Sequence, residues 1–146
     1  HETDIEAATN DIYRLVAMAD FEEAIAFGLR AIGADRAWLE GYYAERIDKA
    51  ELFGLWRGDA LIGAGELRIS PSQSGVADVG MVVALEARRQ GLATNILRRL
   101  RAEGLKRGYR VICSTEADNL GAQKAIERAG FHAHHRILEV SLKRAD

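Results

Sequence analysis

The segment from Val82 to Thr94, VVALEARRQGLAT, constrains this chain more than any other. An apolar run ends, a short polar turn carries Arg88, Arg89 and Gly91, and apolar residues then recur at Leu92, Ile96 and Leu100, the spacing of a helix face. The order is strand, tight loop, helix N-terminus. Amides in the first turn of a helix have no intrahelical acceptor, and the helix dipole adds roughly half a positive charge there. Such an end binds phosphate. Gly91 has no Cβ to hold off a bulky anion, Ala93 and Thr94 keep the next positions small, and Arg88 and Arg89 bring mobile positive charge.

Spacing excludes two familiar phosphate loops. A P-loop needs two glycines around four residues followed by Lys-Ser/Thr, and the dinucleotide fingerprint needs three glycines within six positions. Neither pattern occurs here. The segment instead resembles the Arg/Gln-x-x-Gly-x-Gly/Ala signature of the GNAT superfamily of N-acetyltransferases, with Arg88, Gly91 and Ala93 at the fixed positions. A second element lies about thirty residues on. Asn119, Ala122, Gly130 and Phe131 resemble that family's Asn-x-x-Ala…Gly-Phe helix. A cap at each end of any helix would account for Asn119 and Gly130 singly; the two motifs at this separation point to the family.

The periodicity along the chain agrees with that family's core. From Leu52 to Trp56 and from Ala60 to Ile69, two strands flank the turn Arg57-Gly58-Asp59 and read as a hairpin. After the polar loop Ser70 to Gly75 comes a third strand, Val76 to Ala84. The helix from Leu92 to Arg107 closes at Gly108, and the strand Arg110 to Thr115 follows a helical crossover, so it should lie parallel to Val76–Ala84. A helix from Asn119 to Ala129 and a last strand from Phe131 to Leu142 complete the order. The expected fold is α/β, a mixed and mostly antiparallel sheet flanked by helices, with residues 1–146 as one domain and residues 51–142 as its acetyl-coenzyme A-binding core.

Residues 1–50 read as helical. Ile5, Ala8, Ile12, Leu15, Val16 and Ala19 recur at three- and four-residue spacing, as do Phe21, Ile25 and Leu29, and a further helix spans about Asp35 to Lys49. The family's usual opening strand has no counterpart in this reading. An atypical helical segment joined to the core, or a chain lacking an N-terminal portion, is therefore expected.

The resemblance implies an enzyme that transfers acetyl from acetyl-coenzyme A to a primary amine by direct attack in a ternary complex. The pyrophosphate would sit on the amides of Arg89, Gln90, Gly91, Leu92, Ala93 and Thr94, beside Arg88. The pantetheine would pair with the backbone of Met81, Val82 and Val83, where two parallel strands splay, and Asn119 would face the pantetheine or phosphate region. An amide near Val82 or Val83 could serve the oxyanion. For the base, the residues offer Glu66 and Asp78, both in otherwise apolar stretches that could raise a carboxyl pKa, against the plainer reading of surface or turn carboxylates. The family's usual acid is a tyrosine, and Ile126 stands at that position. Another donor, water, or a coenzyme A-binding sensor without fast transfer would each fit.

Charge bears on partners. Residues 1–51 hold 5 Lys/Arg against 12 Asp/Glu, whereas residues 86–110 hold 8 against 2, so the positive zone coincides with the loop and its helix. The whole chain carries −2, which gives no general attraction to nucleic acid or membrane. Arg98, Arg99, Arg101, Lys106 and Arg107 read as a solvated helix face rather than a nucleic-acid surface. Cys113, the single cysteine, reads as strand core and fits a reducing, cytoplasmic setting. His132 and His134 share a strand face without a third ligand, so no metal is expected. No signal peptide or membrane span is visible. Trp38, Tyr42 and Tyr43 fit either an acceptor pocket or helix packing. The expected partners are a small-molecule or peptide amine and either a second copy of the chain or a missing N-terminal portion. The chain begins at His1, as a trimmed chain or a piece of a longer one would.

Overall fold

The computed structural model describes residues 11–113 and 120–131. The order is β1 (Ile12–Leu15), α1 (Phe21–Ile32), α2 (Arg36–Asp48), β2 (Leu52–Arg57), β3 (Ala60–Ile69), β4 (Val76–Val83), α3 (Leu92–Lys106), β5 (Arg110–Cys113) and α4 (Leu120–Arg128). The sheet runs β1-β2-β3-β4-β5 in space. Its first three pairings are antiparallel and β4–β5 is parallel, as the helical crossover demands. The expected mixed, mostly antiparallel sheet between helices is therefore present. The expected last strand, Phe131 to Leu142, lies almost wholly outside the described residues, as do residues 1–10.

One expectation is overturned. Residues 12–15 form a strand, paired with Trp56, Leu55, Gly54 and Phe53, so these residues are not helical and the family's opening strand has its counterpart here. The apolar spacing of Ile12, Leu15 and Val16 imitates a helix face, yet Ile12 and Leu15 are exposed. Cross-strand contacts decide the conformation instead. Tyr13 stacks on Phe53 with ring centroids 5.5 Å apart, while the Arg14 guanidinium lies 4.0 Å over Trp56 on the opposite face.

Two layers cover the sheet. On one face, α1 and α2 pack together through Gly28, where a Cβ would stand 2.5 Å from Leu39, and reach the sheet through Trp56–Glu23 and Tyr42–Glu66. Asp35 caps α2 by accepting from the Trp38 amide. On the other face lies α3, whose Ile96 and Leu100 fill the space above Gly63 and Gly65. Fully enclosed Leu67, Val79, Ile96 and Leu100 form the centre of this contact. The helix ends as its glycine suggests, with Gly108 at φ 91° and its amide on the Leu105 carbonyl. The charged residues of β3 and β4 thus point toward α2, and the end of β4 feeds straight into α3.

Candidate active site

β4 ends at Val83, and the Ala84 amide donates to the Ile62 carbonyl, which holds the exit of the strand against β3. A single 3-10 turn, Leu85–Ala87, follows. Arg89 and Gly91 then take positive φ, 67° and 76°, and Gly91 heads α3. The first bond of the helix runs from the Asn95 amide to the Gly91 carbonyl, so the amides of Leu92, Ala93 and Thr94 lie ahead of the helix's own ladder. Arg88 is less mobile than expected: its Nε donates to the Val83 carbonyl at 3.0 Å, folding the turn back on the strand it leaves. Gln90 is held too. Its Oε1 accepts from Arg57 Nη1 at 2.9 Å, and Arg57 is itself clamped on Asp11. Arg89 is exposed.

Among the described residues the parallel pairing of β4 with β5 runs from Val76–Arg110 to Val79–Cys113, and β4 runs on through Gly80, Met81, Val82 and Val83. Beside that stretch stands a cluster of charges on the α2 face. Arg68 Nη1 donates to Glu66 Oε1 at 2.8 Å, and Nη2 donates to Asp78 Oδ2 at 3.1 Å. Tyr42 Oη donates to the same Glu66 oxygen. The sequence places Glu66 and Asp78 in apolar stretches, but their surroundings are not apolar, because a guanidinium sits between them. Burial alone would weaken Arg68's hold on its proton; the charges of Asp78 and Glu66 outweigh it and raise its pKa. Burial and the Glu66 bond push the Tyr42 hydroxyl up to about 12. Trp38, largely exposed, stacks on Tyr42 at 4.8 Å, so this aromatic pair borders the cluster, whereas Tyr43 is core.

The family model described as the acetyltransferase (GNAT) family matches residues 10–131. This chain belongs to the GNAT family. A curated relative from Bacillus subtilis (strain 168), the uncharacterized N-acetyltransferase YjdG, is 28% identical over 123 residues, 83% of this chain and 69% of its own. An acetyltransferase from the GNAT family of Colwellia psychrerythraea is 39% identical with a TM-score of 0.82. That match covers 86% of this chain, which spans only 47% of the Colwellia chain. The aminoglycoside N-acetyltransferase AAC(6')-Iy, solved in complex with CoA, shares the fold with a TM-score of 0.74 over 87% of this chain and 91% of its own, at 17% identity.

Within this GNAT fold the other sequence candidates fall as follows. Cys113 is half-buried, and burial, helped by the nearby Asp78 charge, pushes its thiol up to about 12, which keeps it protonated and unsuited to attack. Three of the five basic side chains on the α3 face are held within the chain: Arg98 donates to the Arg128 carbonyl, Arg99 to Asn95 and Arg107 to Glu103. A groove of about 440 Å³ between β1 and α3, lined by Tyr13, Phe53, Arg99 and Lys106 among others, lies on the far face of the sheet from the charge cluster. Ile126 is half-buried against the core. Asn119, His132 and His134 lie outside the described residues. Among the described residues no three His, Cys, Asp or Glu side chains gather as a metal site, and no helix is long and apolar enough to cross a membrane. Sequence reasoning missed Arg68. Its signal was the two-residue spacing from Glu66, which puts both side chains on one face of a strand.

Proposed function

We propose that this chain is an acetyl-coenzyme A-dependent N-acetyltransferase acting on a primary amine by direct attack in a ternary complex. The observation that carries the reading is the junction of β4 and α3. The backbone of β4 leads through Met81, Val82 and Val83 into a turn with two positive-φ residues, and meets first-turn amides ahead of any helical bond. These features fit the two halves of the cofactor. Amides from Arg89 through Gln90, Gly91, Leu92 and Ala93 to Thr94 would hold the pyrophosphate, with Arg88 fixing the turn, and the backbone of Met81, Val82 and Val83 would hold the pantetheine. Asn119 completes the set in this reading. The CoA-bound aminoglycoside enzyme of the same fold supports it.

Acetyl-coenzyme A supplies the activated thioester. The chain's own part is to orient the amine, take its proton and stabilise charge on the carbonyl oxygen. A carboxylate of the Glu66–Arg68–Asp78 cluster takes the proton, and an amide near Val82 or Val83 faces the oxyanion. No metal is invoked. The acceptor class is a small-molecule or peptide amine. A cytoplasmic setting belongs to the same reading, supported by the lone cysteine, and so does one domain spanning residues 1–146. Contact with a second copy, or with a further portion of a longer protein, belongs to it as well. A second reading, a non-catalytic coenzyme A sensor, is favoured by one observation: Ile126 stands where the family carries its acid.

Thermal denaturation tests the cofactor assignment. Acetyl-coenzyme A and coenzyme A should raise Tm, and adenine nucleotides without pantetheine should raise it less. At about a hundred times Kd the linkage is roughly 2.7 kcal/mol. An unchanged Tm at millimolar ligand overturns the proposal.

A further inference from the structure

The turn ahead of α3 has two tethers, and they connect it to different places. Arg88 Nε donates to the Val83 carbonyl, a contact within the turn and the strand it leaves. Gln90 is held from a distant part of the chain. Its Oε1 accepts from Arg57 Nη1 at 2.9 Å, while Arg57 Nε and Nη2 donate to the two carboxylate oxygens of Asp11, each at 2.9 Å. The Asp11 side chain is only 6% exposed, against 40% for Arg57. One planar guanidinium thus sets its fork on a sheltered carboxylate and turns its remaining arm to the loop. Register explains the encounter: Ile12 pairs with Trp56, so Asp11 and Arg57 stand beside each other one residue beyond that pair. Gln90 lies between the two left-handed residues of the turn, Arg89 at φ 67° and Gly91 at φ 76°. Holding an arginine in that conformation costs free energy. Gln90 is itself exposed, so burial does not fix it, and the bond from Arg57 restrains the turn at its middle.

Resting on the acetyltransferase reading above, we infer that Arg57 is a positioning residue for coenzyme A: clamped by Asp11, it fixes Gln90 and with it the backbone amides that receive the pyrophosphate. A bidentate ion pair has one geometry, whereas a single hydrogen bond between surface side chains can swing. Asp11 therefore aims the guanidinium, and the guanidinium holds the loop. Amides already in place bind an anion without first losing the conformational freedom of the turn, so the restraint is read as affinity. The positive charge of Arg57 is balanced by Asp11, so its effect on the pyrophosphate runs through Gln90 rather than through direct attraction. Arg57 and Gln90 also lie outside the Glu66–Arg68–Asp78 cluster, which leaves the chemical step apart from the restraint. The opening strand and the cofactor loop are joined through one side chain at the end of β2.

The test is coenzyme A affinity by calorimetry, beside kcat and the KM for acetyl-coenzyme A, in the parent, Gln90→Leu, Arg57→Met, Arg57→Lys, Asp11→Asn and the double variants with Gln90→Leu. Gln90→Leu leaves the Arg57–Asp11 pair intact. It should weaken coenzyme A about fivefold and raise KM by a like factor, with kcat near the parent's. Arg57→Met should lose at least as much, and adding Gln90→Leu to it should cost no further affinity, since both remove one contact. Arg57→Lys keeps the charge but cannot serve both Asp11 oxygens and Gln90 together, so it should lose most of what Arg57→Met loses. Asp11→Asn should weaken binding only where Gln90 is present. Parent-like affinity in Gln90→Leu, losses that multiply in the double variant, full affinity in Arg57→Lys, or an Asp11→Asn loss that is absent or persists without Gln90 would overturn the inference and leave the cofactor assignment standing. A parent that binds no coenzyme A would overturn both. Should Arg57→Met misfold because it strands a sheltered carboxylate, Gln90→Leu and its combination with Arg57→Lys decide.

Discussion

The Tyr42 hydroxyl donates to the Glu66 carboxylate, and this hydrogen bond ties α2 to β3 on the sheet face opposite α3. The bond joins an otherwise amphipathic helix to the charge cluster, with Trp38 stacked outside it and the Arg46 guanidinium 5.2 Å over the Tyr42 ring.

Removing that hydroxyl should show most clearly at high pH. The folded-state pKa of Tyr42 is raised to about 12 from the ordinary 10, so its neutral phenol contributes stability that is complete below pH 10 and lost as pH rises toward 12. Tyr42→Phe should lower stability at neutral pH by about 1 kcal/mol. Between pH 10 and 12 its stability should fall less steeply than the parent's. Tyr13 and Tyr43, raised by burial, keep some slope in both. Denaturant titrations across that range check this; identical slopes would contradict it.

Packing gives a second expectation. A Cβ on Gly104 of α3 would stand 2.5 Å from Val111 Cγ2 of β5. Gly104→Ala gains about 1 kcal/mol of helix propensity but forces an overlap costing about 1–3 kcal/mol. A net loss should be measured by chemical denaturation. In a Val111→Ala background the overlap is gone, so the same substitution should stabilise.

The loop can be tested without touching the charge cluster. Gly91 sits at φ 76°, and a Cβ added there would meet nothing within 4 Å, so space is not the constraint. Gly91→Glu sets a negative charge beside the first-turn amides and should abolish the coenzyme A thermal shift. Gly91→Asn, which tolerates the left-handed conformation, should keep most of it. Equal binding by parent and Gly91→Glu would show that the pyrophosphate lies elsewhere.

From β2 to α4 the fold was legible because local signals agreed with long-range pairing: the turn at Gly58, the glycine after α3, and the crossover before β5. β1 was not legible. Four residues are too few for periodicity to distinguish Ile12 and Leu15 on a strand from the same residues on a helix, and only pairing with β2 decides. Within the site, the amides after Gly91 could be inferred from spacing alone. The restraint of Arg88 by the Val83 carbonyl could not, and neither could the Arg68–Asp78 pair. That pair depends on the β3–β4 register, which the loop from Ser70 to Gly75 sets and apolar alternation does not reveal.

Ile126 bears on turnover. If solvent alone assists the departing thiolate, a phenol at this half-buried position supplies a placed donor, worth on the order of a hundredfold where protonation limits the rate. Ile126→Tyr should therefore raise kcat while leaving coenzyme A affinity near the parent's, as read by steady-state kinetics beside the thermal shift. A folded variant with unaltered kcat would mean that another group is already the acid.

Acetyl transfer itself is tested most directly by incubating the parent with acetyl-coenzyme A and a panel of primary amines, then quantifying free thiol and N-acetyl product together. The account predicts thiol release that depends on the amine, with one acetylated amine for each thiol formed. Coenzyme A binding with thiol release no faster than the amine-free control, for every amine, would contradict it and leave the sensor reading in its place.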